Sequence, residues 1–182
     1  MRLDTFSTGD FERGRSAMTE SIWQVTSFLL VASFWPGSRW RVSLLRLFGA
    51  TIAQGVNIKP FVKIKFPWRL TVGAHSWIGE GVWIDNLAPV TISDNACVSQ
   101  GAYLCTGSHD WTKESFDLIT KPISIGSGAW VGAMARVAPG VTIGKGAILT
   151  MGSVATGDLD PDMVYSGNPA IALRIRKSAP KP

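Results

Sequence analysis

The chain has 182 residues, and charged types make up only 17% of it, below the roughly 25% of an average soluble protein. Apolar types reach 46% and glycine 19 residues, which excludes a disordered chain, and Cys97 and Cys105 are too few for a disulfide scaffold. Eighteen basic residues against thirteen acidic ones leave a formal charge of +5, a mild excess that a solvated surface accommodates without an anionic partner.

Met1 to about Ala17 is polar and aperiodic, and is expected to be loosely ordered. Ile22, Val25, Phe28, Leu29 and Ala32 then recur at three- and four-residue steps, predicting one buried helix face. Pro36 and Gly37 end that helix. Ser38 is placed to cap a second one, with Val42, Leu44, Leu45 and Phe48 available for burial and Gly49 as its stop. Arg39, Arg41, Arg46 and Trp40 decorate this second helix. Two readings follow: the helix lies on an anionic membrane, or the pair packs on its own domain or on a neighbouring subunit. The longest apolar stretch, Ile22 to Trp35, is broken by Gln24, Thr26, Ser27 and Ser33, and a spanning helix needs about 20 apolar residues. With no obvious leader signal either, a cytoplasmic location is expected.

From Val72 onward the chain divides into hexads: VGAHSW, IGEGVW and IDNLAP, then ISDNAC, VSQGAY and LCTGSH, and later IGSGAW, VGAMAR, VAPGVT, IGKGAI and LTMGSV. Their first position holds Val72, Ile78, Ile84, Ile92, Val98, Leu104, Ile125, Val131, Val137, Ile143 and Leu149. The fifth is held by Ser76, Val82, Ala88, Ala96, Ala102, Ser108, Ala129, Ala135, Val141, Ala147 and Ser153. Ile52, Ile58 and Ile64 carry the phase backwards. A period of six fits neither a helix nor a hairpin. It fits short flat strands joined by tight turns, three to a coil, with the first residue inside a triangular prism and the fifth near a corner. Coils stack at the ordinary strand spacing of about 4.7–4.9 Å. Gly73, Gly79, Gly126, Gly144 and Gly146 suit places where backbone bends sharply or approaches closely.

This pattern, from about Ile52 to Arg176, resembles the hexapeptide-repeat acyltransferases. The segments IKFPWRL, SWIGEGVWIDNL, SQGAYLCTGSHD, FDLITKPI and YSGNPA resemble more narrowly the colanic acid biosynthesis acetyltransferase group, related to the maltose and galactoside acetyltransferases. The resemblance implies a mainly β protein, a left-handed parallel β-helix over residues 50–176. A short helical extension at 1–49 precedes it, a loop interrupts it at about 109–123, and a basic tail follows at 177–182. It also implies an acetyl-CoA-dependent enzyme that O-acetylates a sugar hydroxyl for exopolysaccharide and works as a homotrimer, with no metal and no nucleic acid. A sugar, a nucleotide sugar or a lipid-linked oligosaccharide are all open as acceptors.

The repeat breaks substantially between Leu104 and Ile125, and insertions in a solenoid protrude, often on the binding face. His109 stands at the root of this excursion, followed by Asp110 and Trp111. Acetyl transfer to a hydroxyl needs a base, and an imidazole with an ordinary pKa of about 6.5 suits neutral pH. The family's catalytic histidine aligns with His109. His75, the other histidine, lies on an outward position with no motif around it and reads as a surface or packing residue. Coil arithmetic puts the Ile84 hexad directly beneath that of Leu104, so Asp85 and Asn86, with Trp111, are candidate acceptor contacts.

For the cofactor, the resemblance implies a groove along Trp130, Gly132, Ala133, Met151 and Thr156, with Arg174, Arg176 and Lys177 toward the phosphates. Gly157 stands where relatives commonly carry a lysine. Four other readings stay open: a zinc hydratase on the same prism, which needs three histidine ligands where this chain has two in all; a serine O-acetyltransferase; a xenobiotic acetyltransferase; and a non-catalytic scaffold.

Overall fold

The computed structural model describes residues 1–177. Of the expected basic tail only Lys177 therefore falls inside the described residues, and 178–182 lie outside them. The hexads form three parallel walls, each built of strands one coil apart. The first wall contains Thr51–Ile52, Leu70–Val72, Val90–Ile92, Ile123–Ile125 and Thr142–Ile143. The third contains Lys63–Ile64, Trp83–Asp85, Tyr103–Cys105, Arg136–Val137 and Val154–Ala155. Between them in the winding order, the second wall contains Asn57–Ile58, Trp77–Ile78, Cys97–Val98, Trp130–Val131 and Ile148–Leu149. It is extended by the closing hairpin Met163–Gly167 and Ala170–Ile175.

Register is set by the hexad phase. In the first wall Ile52 pairs with Val72, Val72 with Ile92, Ile92 with Ile125 and Ile125 with Ile143. In the third, Ile64 pairs with Ile84, Ile84 with Leu104 and Leu104 with Val137. Every first-position residue is buried, stacked on its counterpart in the next coil. A one-residue slip would turn each of these side chains out to solvent, which is why the register is strongly specified. Each fully buried Val, Ile or Leu stabilises the stack by about 1.5–3 kcal/mol.

The fifth positions are buried as well, except Ser108. There the chain has already left the prism, and Thr106 takes the corner instead. Its hydroxyl accepts from Ala88 N (2.9 Å) and donates to Asp85 O (3.0 Å).

The N-terminal helices cap the open end of the first coil. Helix α1 (Ala17–Thr26) runs into one wider turn of π geometry (Ser27–Val31), and α2 (Arg39–Leu47) follows. Trp23, Val31, Val42 and Leu45 join Ile52, Ile58 and Ile64 in the core, and the Trp23 indole donates to the Ile64 carbonyl at 3.0 Å. This seating overturns the predicted burial face of α1. Ile22, Val25, Phe28 and Leu29 are exposed, because the large Trp23 ring fills the prism mouth and rotates them outward.

Ser38 is also corrected. It makes no side-chain cap; its hydroxyl donates to Val56 O (3.3 Å) and accepts from Ile58 N (2.7 Å), tying α2 to the second wall. The arginines of α2 are not a common surface either. Arg41 is fully buried and donates to the carbonyls of Val31, Ser33, Trp35 and Gly37. Arg46 donates to Ile52 O and Ala53 O.

Candidate active site

At Thr106 the third wall gives way to an antiparallel ribbon in which Gly107–His109 pairs with Leu118–Thr120. The insertion is thus a hairpin with a paired root, and His109 is its last paired residue, opposite Leu118. The imidazole Nδ1 lies 3.0 Å from the Phe116 carbonyl. A carbonyl can only accept, so Nδ1 carries a proton, and in the neutral ring the lone pair then lies on Nε2, the tautomer a general base requires. Phe116 adopts a left-handed backbone (φ 51°) and its ring stacks on the imidazole at 4.3 Å, nearly parallel to it. The hairpin end is held by its own side chains. Asp110 accepts from Thr112 N and Oγ1 (3.1 and 2.6 Å), and Lys113 pairs with Asp117 at 3.0 Å. These contacts hold both carboxyls below the usual range, through Thr112 for Asp110 and through Ser115, then Lys113, for Asp117.

The N-terminal segment, expected to be loosely ordered, lies against this hairpin. Arg2 N donates to Glu114 O (2.6 Å), and Leu118 N donates to Ser7 O (3.0 Å). The Phe6 ring sits 5.7 Å from the imidazole. Farther along, Trp68 Nε1 donates to Arg13 O at 2.8 Å, and the Arg69 guanidinium donates to Glu12 O. A cavity of about 400 Å³ opens between Thr8–Phe11 and the hairpin, lined by Asp10, Asp110, Lys113 and Asp117. A polar, aperiodic composition hid this strap, whose order comes from backbone partners far along the chain.

Asp85 lies one coil below Cys105, as the arithmetic required. Its side chain is 15% exposed, with Lys65 Nζ 3.2 Å from Oδ1 and the Tyr103 hydroxyl donating to Oδ2 at 3.2 Å. The lysine contact lacks hydrogen-bond geometry, leaving Oδ1 otherwise unpartnered. Burial first, then Cys105 and Asp85, push the Tyr103 phenol far up, so it stays a donor. Tyr103 in turn stacks on Trp83 at 4.6 Å.

Asn86 is corrected: it is 0% exposed, and its amide bridges Phe66 N (2.9 Å) and Phe66 O (2.6 Å). Both ends are committed to the neighbouring coil, so no acceptor reaches it. Trp111 stands 80% exposed beyond the hairpin root.

The expected cofactor positions fall on two edges of the third wall. Gly132, Ala133 and Met151 stack at the corner between second and third walls, with Trp130 beside them and Gly152 N donating to Ala133 O at 2.9 Å. Thr156 lies past the far edge of that wall, on the same corner as the His109 hairpin. Gly132 has a structural role of its own. A Cβ there would lie 2.6 Å from Met151 N.

Arg176 is corrected: its Nη1 donates to Gly128 O and Gly146 O (2.8 and 2.9 Å), at the corner between first and second walls. Arg174 is exposed on the closing hairpin. A groove of about 850 Å³ runs along the second wall and its corner with the third, past Met134, Gln100, Trp77 and Phe61. His75 sits exposed at the turn of another corner, its ring lying over Gly55. Among the described residues no three His, Cys, Asp or Glu side chains group as metal ligands.

With this geometry in place, comparison with known proteins is informative. Residues 122–156 match the family model of the hexapeptide repeat of succinyl-transferase. The chain is 40% identical over 177 residues to the "Putative colanic acid biosynthesis acetyltransferase WcaF" of Escherichia coli strain K12, covering 96% of each chain. It is 28% identical over 137 residues to the galactoside O-acetyltransferase of the same organism, covering 74% of this chain and 68% of that one. Among solved structures, a hexapeptide-repeat acetyltransferase from Vibrio cholerae O1 biovar eltor, complexed with acetyl coenzyme A, superposes with a TM-score of 0.81 at 25% identity. That match covers 96% of this chain and 97% of that one. Repeat, coil register and full-length identity agree, and the chain belongs to the hexapeptide-repeat acyltransferases, in the acetyltransferase group of the colanic acid enzyme.

Proposed function

We propose that the protein transfers the acetyl group of acetyl-CoA to a sugar hydroxyl during exopolysaccharide synthesis, with His109 as general base. The observation that carries this reading is the hydrogen bond from His109 Nδ1 to the Phe116 carbonyl, which leaves Nε2 as the proton acceptor. The acceptor hydroxyl attacks the thioester carbonyl while Nε2 takes its proton. The tetrahedral intermediate then collapses, the C–S bond breaks, and the departing thiolate takes the proton back from the imidazolium to give free coenzyme A. Backbone N–H groups at the hairpin root are of the right type to stabilise the oxyanion.

The donor and acceptor assignments draw on the relatives. One solved relative is a complex with acetyl coenzyme A, and two curated relatives are named for a polysaccharide and a galactoside. Trp130, Met151 and Thr156 are proposed donor contacts, with Arg174 toward the phosphates, and Asp85 and Trp111 are proposed acceptor contacts. Because the donor positions occupy two edges of one wall, we place the complete site between neighbouring prisms of a homotrimer, in the cytoplasm. The test is transfer of labelled acetyl from acetyl-CoA to a panel of nucleotide sugars and lipid-linked oligosaccharides, alongside serine and a xenobiotic alcohol. His109→Ala is expected to lower transfer by about 10²–10⁴ while the oligomer persists. Full activity in that variant overturns the assignment, and failure to bind acetyl-CoA in calorimetry favours a scaffold.

A further inference from the structure

Capping elements of solenoids need a polar outer face to keep the array soluble. The helical cap here does the reverse. With Trp23 turned into the prism, α1 and the π turn present Met18, Ile22, Val25, Phe28 and Leu29 outward, Phe28 at 78% exposure. Phe34 and Trp35 follow on the connection to α2, stacked at 4.8 Å and both exposed. This is a continuous apolar helix face ending in an aromatic pair. No helix among the described residues is long and apolar enough to cross a membrane.

The charge around this face has one sign. Residues 13–69, the helices and the first coil, hold nine Lys and Arg with Glu20 as the single acid, and the remainder holds nine basic against twelve acidic residues. Glu20 is itself buried and neutralised by Arg13 at 2.6 Å. Arg15, Arg39, Lys59 and Lys63 are exposed. Lys59 and Lys63 flank Phe61, whose N–H donates to Ser33 O within the cap, which places them at its rim.

We propose that the capped end of the prism docks end-on to an anionic lipid surface. The α1 face and the Phe34–Trp35 pair enter the headgroup–acyl boundary, and Arg39, Lys59 and Lys63 meet the lipid phosphates. Aromatic side chains are preferred at that boundary, and basic residues beside an apolar face add attraction to anionic headgroups. A second copy of this chain is the poorer occupant. A two-fold pairing brings the same patch against itself, and here it would oppose two basic rims across the contact. The arginines of α2 have no part in the docking beyond Arg39, since Arg41 and Arg46 are bound to backbone carbonyls.

The experiment is co-sedimentation of the full chain with vesicles of pure phosphatidylcholine and of phosphatidylcholine with phosphatidylglycerol. Binding is expected to the anionic vesicles, weak binding to the neutral ones, and a fall as salt screens the headgroups. Phe28→Glu with Leu29→Glu is expected to lower the anionic-vesicle partition constant by about tenfold or more, and Lys59→Glu with Lys63→Glu to remove the preference for anionic lipid. All four sites are exposed, so the variants should keep the parent melting temperature. No binding by the parent chain, or equal binding by Phe28→Glu/Leu29→Glu, overturns the proposal. So does a parent chain that stays in the supernatant while the apolar variant alone drops in oligomeric order by light scattering, for then a second copy covers the face.

Discussion

At the scale of single residues, the site rests on hydrogen bonds that fix tautomer and orientation. His109 is set by the Phe116 carbonyl and by the Phe116 ring lying parallel to it. His109→Ala removes the proposed base and should cost about 10²–10⁴ in kcat, read by the rate of coenzyme A thiol release. Phe116→Ala keeps the base but frees the ring, so a drop in kcat on the order of tenfold with little change in KM is expected. Asn86 shows how a site-like residue can be wholly structural. Its amide satisfies both backbone groups of Phe66 in a dry corner, so Asn86→Ala should destabilise the fold by about 2–4 kcal/mol, measured by denaturant unfolding.

Among elements, the hairpin and the N-terminal strap act as one unit. Arg2 and Ser7 add backbone bonds to the hairpin, and Phe6 closes over His109. Deleting residues 2–8 should lower kcat by about tenfold or more while the prism melts at the parent temperature, because no interior column involves them. The hairpin also carries an acid sensitivity. Asp110 and Asp117 titrate below the usual carboxylate range in the fold. A depressed folded pKa contributes order that is present above the unfolded value of about 3.9 and is lost as pH falls through the folded value. Amide exchange of Thr112, whose N–H donates to Asp110, should therefore rise below about pH 4, ahead of exchange in the walls.

For the whole molecule, stability is a sum over stacked coils. Leu104→Ala should cost about 2–5 kcal/mol, since its column cannot collapse around the void. Gly132→Ala acts through the backbone of the next coil, 2.6 Å from the added carbon, and should cost about 1–3 kcal/mol or more by prying two coils apart. Both are read by thermal unfolding. The same stacking logic leaves the first coil open at one end, and the helical cap that closes it presents its apolar outer face away from the prism.

The prism itself is legible in the sequence because interior positions recur with one local rule every six residues, and stacking enforces that rule coil after coil. The position of His109 at the root of the insertion was legible for the same reason: it stands where the rule breaks. The roles of Asn86, Arg176, Ser38 and Phe6 were decided only by tertiary structure. Asn86 and Ser38 depend on which backbone group 20 residues away in the chain needs a partner, Arg176 on carbonyls 48 and 30 residues away across a stacked corner, and Phe6 on an imidazole 103 residues away. The face of α1 was decided in the same way. Periodicity identifies an apolar stripe, but whether that stripe turns inward depends on the shape it must fill, and here one tryptophan fits the mouth of the prism better than four aliphatic and aromatic side chains do.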